Sequence, residues 1–476
     1  MGKIVVKFGG SNLKTPGDIK RSAAVAGAYR QNLVVVVSAF YGVTDLLTGA
    51  IGEALVSLDG IKEAMALIRK RHCGVIEQTI AGRDTAENTA AVIEGRMASL
   101  ERLLTGIHYI GAVPDFTRDT ILSYGERLSA PILTAVLEAS GLAAREALPE
   151  RIGLMTDGRF GNASADMDYS APRIREALSG DFTFVVPGFY GTTGDGGTAV
   201  FGRGGSDYTA AVTARAIGAP SLDLWKDVDG FLSSDPRITG TSRTIPYLSY
   251  AEAAELAYFG AKILHPRTVE PLEDTAIPVR VMNVEKFAGE IHPYSIVGPE
   301  KGTIAAGADE AAESGSGHRQ RIIKSVASSD DVGIIRIEGP GVGSRPGILA
   351  RATGKLDAAG VNISSVITAQ TCINLIFRRG DTEKALAVVK SESISGVVSV
   401  EALDDCAMVA AVGSGIRDSV GVGSRILGAL ADAAVNIILV QAGASPVAVY
   451  VIVRREDRER AVTAIHNAMG RIHEGT

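Results

Sequence analysis

The run Leu33 to Val37, LVVVV, holds no polar position, so it reads as a strand with neither face in water. An earlier β-rich run, Lys3 to Phe8, precedes it, and a helical pattern from Asp18 to Arg30 fills the interval. That is the pattern of a βαβ unit with fully buried strands. Such strands need helices packed over a mainly parallel sheet, which directs the chain to an α/β architecture. A chain of 476 residues, 46% of them hydrophobic, has the material for that core and the length of about three domains.

Open α/β sheets bind ligands at the C-terminal ends of their strands, so the turns after the apolar runs are the candidate sites. The first turn holds Lys7, Gly9, Gly10 and Ser11, and the second runs from Ser38 to Thr44. A third apolar entry, Ala199 to Phe201, leads into Gly202-Arg203-Gly204-Gly205, where Ser206-Asp207 opens an alanine-rich helical pattern. Glycines let backbone N–H groups approach a ligand, a helix start carries partial positive charge, and Arg203 can fork onto a carboxylate or phosphate. An ordinary strand-to-helix turn with Ser206 as N-cap explains the same residues about as well. The buried strand Phe182 to Pro187 runs into Gly188-Phe189-Tyr190-Gly191, and Leu222 to Trp225 runs into Lys226-Asp227-Val228-Asp229-Gly230. The second of these suggests a nucleotide or metal-phosphate edge, or a plain Asp-Gly turn. Ser123 to Ala130 reads as the opening of another helix, where Glu126 either helps cap it or holds a ligand ammonium.

The remaining stretches set the organisation. Asp45 to about Gly106 is helical throughout and reads as an elaboration of the first domain, and Ser249 to Leu264 reads as an amphipathic helix. Ile277 to Met282 reads as the strand that closes this domain. Asp309 to Arg319 is small, polar and glycine-rich, as linkers are. Beyond it PGVGSRPGILARATGKLDAAGVNIS returns as VGVGSRILGALADAAVNII, so that Gly341 corresponds to Gly421 and Asn362 to Asn436. Two copies make two small α+β modules, not a solenoid, and suggest sensing or dimerisation.

A net charge of −6 argues against nucleic acid as the main partner. Cys73, Cys372 and Cys406 lack metal-type spacing and read as thiols of a reducing compartment. The opening MGKIVVKFGG enters a strand pattern with no secretory profile, and no run approaches the ~18 apolar residues of a membrane span. A cytoplasmic protein is expected.

KFGG at Lys7 to Gly10, SAFYGVTDLL from Ser38, SYGERLSA from Ser123, PGFYG from Pro187, GRGGSDYTAA from Gly202, DVDG with DPR from Asp227 to Arg237, and YFGAKILHPRT from Tyr258 stand in the order and at about the spacings seen in aspartokinases. The chain resembles that family over nearly its whole length, and the twin modules resemble its ACT domains. The resemblance implies an amino-acid-kinase-type three-layer α/β/α sandwich with a mainly parallel central sheet over residues 1–306. A linker over 307–320 and two ferredoxin-like ACT domains over 321–400 and 401–476 would follow. The implied reaction moves the γ-phosphoryl group of ATP to the side-chain carboxylate of L-aspartate, giving 4-phospho-L-aspartate. This is the first step of aspartate-family amino-acid biosynthesis, the route to lysine and threonine. The acceptor, with a reference pKa of about 3.9, is already an anion, so no general base is needed.

By resemblance, Lys7 bridges the transferred phosphoryl group and Gly9, Gly10 and Ser11 bring N–H groups to it. Arg203, Gly204 and Ser206 hold the acceptor's α-carboxylate, Glu126 its ammonium, and Ser38 and Thr44 its reacting carboxylate, with Phe189 in the same pocket. Asp207 orients the lysines, and Lys226, Asp227, Leu232, Arg237 and Lys262 face the nucleotide, Lys262 also acting in catalysis. Mg²⁺ arrives on the ATP phosphates, and no protein metal site is expected. Asn362, Ile363 and Gln370 are the effector candidates, and paired ACT modules imply a homodimer or higher homo-oligomer.

Some positions depart from the family pattern. Ser11-Asn12 stands for Thr-Ser, Lys226-Asp227 for Thr-Asp, and Leu232 for an aromatic residue. Gln370-Thr371-Cys372 and Ala444-Ser445-Pro446 replace Ser-Ser-Glu in the two modules, which removes a carboxylate partner for a cationic effector such as lysine. Two alternatives stay open: a phosphotransferase of the same fold with another acyl acceptor, and a weakly active amino-acid sensor. A P-loop enzyme is excluded because Leu356 follows Gly354-Lys355, and no G-x-G-x-x-G follows a strand.

Overall fold

The computed structural model describes residues 2–260, 263–299, 322–392 and 394–473, and the expected linker at 307–320 lies outside them. Two compact units are present.

The first unit is α/β. In chain order it contains β1 (Ile4–Phe8), α1 (Pro16–Gly27), β2 (Leu33–Val37), α2 (Val43–Val56), α3 (Leu58–Thr79), α4 (Arg83–Ile110), α5 (Asp115–Ala139), β3 (Ala144–Glu146), α6 (Pro149–Ile152), α7 (Met167–Ala177), β4 (Thr183–Pro187), β5 (Tyr190–Thr192), β6 (Thr198–Val200), α8 (Gly205–Ile217), β7 (Leu222–Lys226) and β8 (Tyr247–Ser249). Then come α9 (Tyr250–Tyr258), of which only the residues up to Ala254 belong to this unit, α10 (Pro266–Val269), β9 (Val279–Asn283) and β10 (Ser295–Gly298). The central sheet has the order β3-β4-β2-β1-β7-β9-β10-β8, with β9 and β10 as its antiparallel pair. This is the mainly parallel sheet that the apolar runs called for, and all five residues of β2 are buried. Side chains alternate across a strand. Val6, Phe8, Val35 and Val37 join the core under α1 to α5, while the alternate positions of β1 and β2 face α8.

Local chemistry sets the helix boundaries. Pro16 occupies the first turn of α1, and Thr15 and Asp18 cap it reciprocally. Three expectations are corrected. α5 begins at Asp115 after Pro114, not at Ser123, so Glu126 lies in the middle of a 25-residue helix and cannot cap it. α9 stops at Tyr258, short of Leu264, because Gly260 follows at a φ of 111° that a continuing helix does not accommodate. Finally, β10 follows the strand expected to close the domain and pairs with it.

The second unit gathers Leu232–Arg243, the segment from Glu255 to Gly260, and the described residues from 322 onward. It holds β11 (Ser325–Ser329), β12 (Gly333–Glu338), α11 (Ile348–Ala358), β13 (Ser365–Thr368), β14 (Cys372–Phe377), α12 (Thr382–Ser391) and β15 (Ser399–Leu403). These are followed by β16 (Cys406–Val412), α13 (Val422–Asp432), β17 (Ile437–Ala442), β18 (Ala448–Arg454) and α14 (Arg458–His473). The strands form two four-stranded antiparallel sheets, β13-β14-β12-β15 and β11-β16-β18-β17. The modules are therefore not contiguous blocks split near 400. β11 precedes the first module but takes, beside β16, the place that β15 takes beside β12. The second copy ends on α14 with three strands of its own, and Val326 of β11 completes its core with Val409, Val451 and Ile465. Leu232–Arg243 joins the same unit: the Val326 amide donates to the Ser233 carbonyl at 2.9 Å, and Ser233 Oγ lies 2.9 Å from His466 Nε2.

Among the described residues no helix is long and apolar enough to cross a membrane.

Candidate active site

β1, β2, β4 and β7 run parallel, and their registers bring Phe8, Val37, Pro187 and Trp225 level with one another. The turns that follow therefore open on one edge, where a cleft of 430 Å³ gathers Lys7, Ser38, Thr44, Phe189, Arg203 and Asp207. Gly204 and Ser206 line it too. Gly204 caps α8 at a φ of 71°, so the chain turns directly from β6 into the helix that presents Ser206 and Asp207.

Lys7 lies on the α8 side of β1 and ion-pairs with Asp207 Oδ1, while Lys226 Nζ donates to Asp207 Oδ2 at 2.7 Å. Lys7 is 5% exposed and Asp207 6%. Burial alone would raise the Asp207 carboxyl, but the ammonium groups of Lys226 and Lys7 outweigh it and hold the group well below the usual carboxylate range. Burial pushes the Lys7 ammonium down, against the pull of Asp207. One carboxylate thus fixes two cations side by side, an arrangement suited to an incoming polyanion. Gly9, Gly10 and Ser11 form the turn next to them: the amides of Asn12 and Leu13 donate to the carbonyls of Gly9 and Gly10. An ideal Cβ on Gly9 would lie 3.2 Å from Lys7 Nζ, so the turn passes close to the ammonium.

Glu126 is buried beside them. Its Oε1 accepts from the Ala39 amide at 3.0 Å and from Ser206 Oγ at 3.4 Å, while Oε2 is buried without a hydrogen-bond partner among the described residues. Burial pushes this carboxyl up to about 8, although the Ala39 amide, the Lys7 charge and the Ser206 hydroxyl favour its anion. The unused oxygen leaves this carboxyl able to accept a further hydrogen bond. Arg203 is exposed and makes no hydrogen bond or ion pair among the described residues. Phe189 holds a φ of 75°, its amide taken by Thr209 Oγ1 and its carbonyl by the Phe201 amide, a strained conformation kept by its surroundings.

The cleft also contains residues that sequence reasoning missed. Arg118 enters from the first turns of α5, and neighbouring Asp119 accepts from the amides of Gly161 and Val200 at 2.8 and 2.9 Å. Neither belongs to a glycine turn or a strand end, so no local pattern marks them. Asp227, of the nucleotide set, lies 3.7 Å from Lys14 Nζ. Leu232 and Arg237 belong to the second unit, where Arg237 is exposed and ion-paired with Asp235. Lys262 lies outside the described residues. Asn362 and Ile363 follow α11, and Gln370 sits in the β13–β14 turn, where its carbonyl accepts from the Gly343 amide at 3.1 Å. Among the described residues no group of three or more His, Cys, Asp or Glu side chains is placed to hold a metal ion.

This sheet edge, with its paired lysines and glycine turns, defines a class: a model of the amino acid kinase family matches residues 2–283, and a model of the ACT domain matches residues 409–469. Aspartokinase 1, chloroplastic, of Arabidopsis thaliana is 30% identical over 482 residues, which cover 98% of this chain and 79% of that protein. The chain belongs to the aspartokinases. The bifunctional aspartokinase/homoserine dehydrogenase of Haemophilus influenzae is 27% identical, and the chain covers 56% of its length. Against a bifunctional relative of Zea mays the share is 50%, so the chain spans about half the length of these relatives. Among solved structures, Escherichia coli aspartokinase III in complex with aspartate and ADP superposes with a TM-score of 0.77 at 26% identity, covering 98% of this chain and 99% of that one. The same enzyme in complex with lysine and aspartate gives 0.76 at the same identity and coverage.

Proposed function

We propose that this chain is an aspartate kinase: it transfers the γ-phosphoryl group of ATP to the side-chain carboxylate of L-aspartate, and its ACT modules regulate the reaction. The observation that carries this reading is the Lys7–Asp207–Lys226 cluster in the same sheet edge as Arg203 and Glu126. Two anions must meet for this reaction, and the residues supply the cations that offset their repulsion. The acceptor's carboxylate oxygen attacks the γ-phosphorus, the bond from that phosphorus to its bridging oxygen breaks, and ADP leaves. No proton has to move, because the acceptor carboxylate is already an anion at neutral pH, and Asp207 is committed to two lysines.

In this reading Arg203 takes the α-carboxylate, Glu126 the ammonium, and Ser38 and Thr44 face the reacting carboxylate. Lys7 with the turn at Gly9, Gly10 and Ser11 holds the phosphoryl group, and Lys226, Asp227 and Lys262 serve the nucleotide. Mg²⁺ would come in on the ATP phosphates and neutralise part of their charge there, since magnesium usually binds through phosphates and few protein ligands. The complexes of E. coli aspartokinase III with aspartate and ADP, and with lysine, support the substrate pair and an amino-acid effector. For this chain the proposed effector site is Asn362, Ile363 and Gln370, where Gln370-Thr371-Cys372 offers a cationic effector such as lysine no carboxylate partner. A cytoplasmic homo-oligomer completes the proposal.

A coupled ADP-release assay with L-aspartate, with N-acetylglutamate and with no acceptor tests it, repeated with lysine, threonine and methionine added. Turnover with L-aspartate alone is expected. Turnover with N-acetylglutamate alone would replace the acceptor, because that molecule has no ammonium for Glu126.

A further inference from the structure

Arg267 lies outside the cleft, yet its side chain reaches three segments that build the cleft's wall. Nη1 donates to the Phe201 carbonyl at 2.7 Å and to Asn162 Oδ1 at 2.8 Å. Nη2 donates to the Ala163 carbonyl at 2.6 Å and to Ser164 Oγ at 3.1 Å. The guanidinium also lies 4.6 Å from the centre of the Tyr208 ring. Phe201 is the last residue before Gly202-Arg203-Gly204-Gly205, Tyr208 follows Ser206-Asp207 in α8, and Asn162 to Ser164 follow Gly161, which lines the cleft. The side chain is only 18% exposed, so these bonds form largely away from water. His265, two residues earlier, packs against the same turn, so closely that a Cβ on Gly204 would collide with the His265 Cβ.

We propose that Arg267 is a positioning residue for the acceptor anchor. It holds the turn Gly202–Gly205 against Asn162–Ser164 so that Arg203 is presented at a fixed place and angle. This rests on the assignment of Arg203 to the acceptor's α-carboxylate. A planar fork with several donors suits four oxygens arranged around it, whereas an ammonium on a flexible stem cannot span them in one geometry. The lysines that face the phosphate, Lys7 and Lys226, are fixed separately through Asp207 and do not depend on Arg267.

The test uses the full chain with Arg267→Ala and Arg267→Lys, varying aspartate and ATP separately. The expected result is an aspartate KM raised about tenfold or more in both variants, kcat at saturating aspartate and the ATP KM changed by less than about threefold, and partial rescue of Arg267→Ala by guanidinium salts. Amide hydrogen exchange gives a second reading that needs no activity: faster exchange confined to 161–165 and 201–208 is expected. Exchange unchanged in those segments, or KM for both substrates rising together, overturns the proposal. Should Arg267→Ala fail to fold, Arg267→Lys carries both readings. A wild-type chain that does not turn over aspartate sinks the functional assignment instead, and the exchange pattern then still decides whether Arg267 holds the turn.

Discussion

Lys7 and Glu126 are both buried at the same strand edge, and burial acts on them in opposite directions of charge. The ammonium is kept by Asp207, so Lys7→Ala removes a cation that matters most when charge builds on the transferred group. A kcat lowered about 10²- to 10³-fold with a much smaller change in either KM is expected in steady-state assays. Glu126, pushed up to about 8, stays mostly protonated at neutral pH until a cation arrives. Aspartate binding is therefore expected to release a proton, and affinity to rise by up to about tenfold per pH unit between pH 6 and 8. Calorimetry in two buffers of different ionisation enthalpy checks this, and equal heats in both would count against it. The stability sign follows from the same shift. The folded chain keeps a proton that the unfolded chain, with its glutamate at about 4.3, has lost. The stability from that proton is full below about pH 4 and is lost as pH rises through 8. Glu126→Gln is expected to flatten the fall in Tm between pH 6 and 9.

At the scale of elements, α5 and α3 hold the loop from Ser38 to Thr44. Gly125 lets α5 come so close that an ideal Cβ there would lie 2.7 Å from the Ala39 Cβ. Gly125→Ala should strengthen the isolated helix by about 1 kcal/mol through propensity, yet it forces α5 away from Ala39, whose amide is the partner of Glu126. A loss of aspartate affinity of about tenfold, with helix content by circular dichroism unchanged, is the expected outcome. From the other side, Arg71 Nη2 of α3 donates to the carbonyls of Lys14 at 2.8 Å and Tyr41 at 3.2 Å, and His72 stacks on Phe40 with ring centres 5.3 Å apart. The helical elaboration thus braces the first two turns of the site. The sequence marks it as helical but gives no sign of this task, since a 3.6-residue period reveals which face is buried and not what it meets.

At the scale of the whole chain, the exchange of β11 changes what counts as a module. Residues 331–404 carry a closed set of four strands, whereas 321–400 carries a strand that pairs elsewhere and cuts β15 short. A fragment of 331–404 is expected to unfold cooperatively in a thermal melt by circular dichroism. A fragment of 405–473 should melt lower than the same fragment supplied with a 322–330 peptide, because that segment brings Ile322, Ile323 and, from β11, Val326 to its core. Equal melting with and without the peptide would contradict this account of the sheet.

Local pattern alone determined the buried parallel strands, the glycine turns at their ends and the repeat, because alternation, helical period and φ preferences act within a few residues. Lys7, Gly9, Arg203 and Asp207 were legible for that reason: each stands in or beside a turn whose chemistry is visible from its neighbours. Tertiary structure decided the rest. It placed Glu126 in mid-helix beneath Ala39 and raised its pKa, made Asp207 a bridge between Lys7 and Lys226, sent β11 to the second sheet, and set Arg267 under the turn that carries Arg203. Each of these joins residues distant in sequence, and such contacts exist only once the layers have packed. They depend on desolvation and fit between surfaces, which no period in the sequence records.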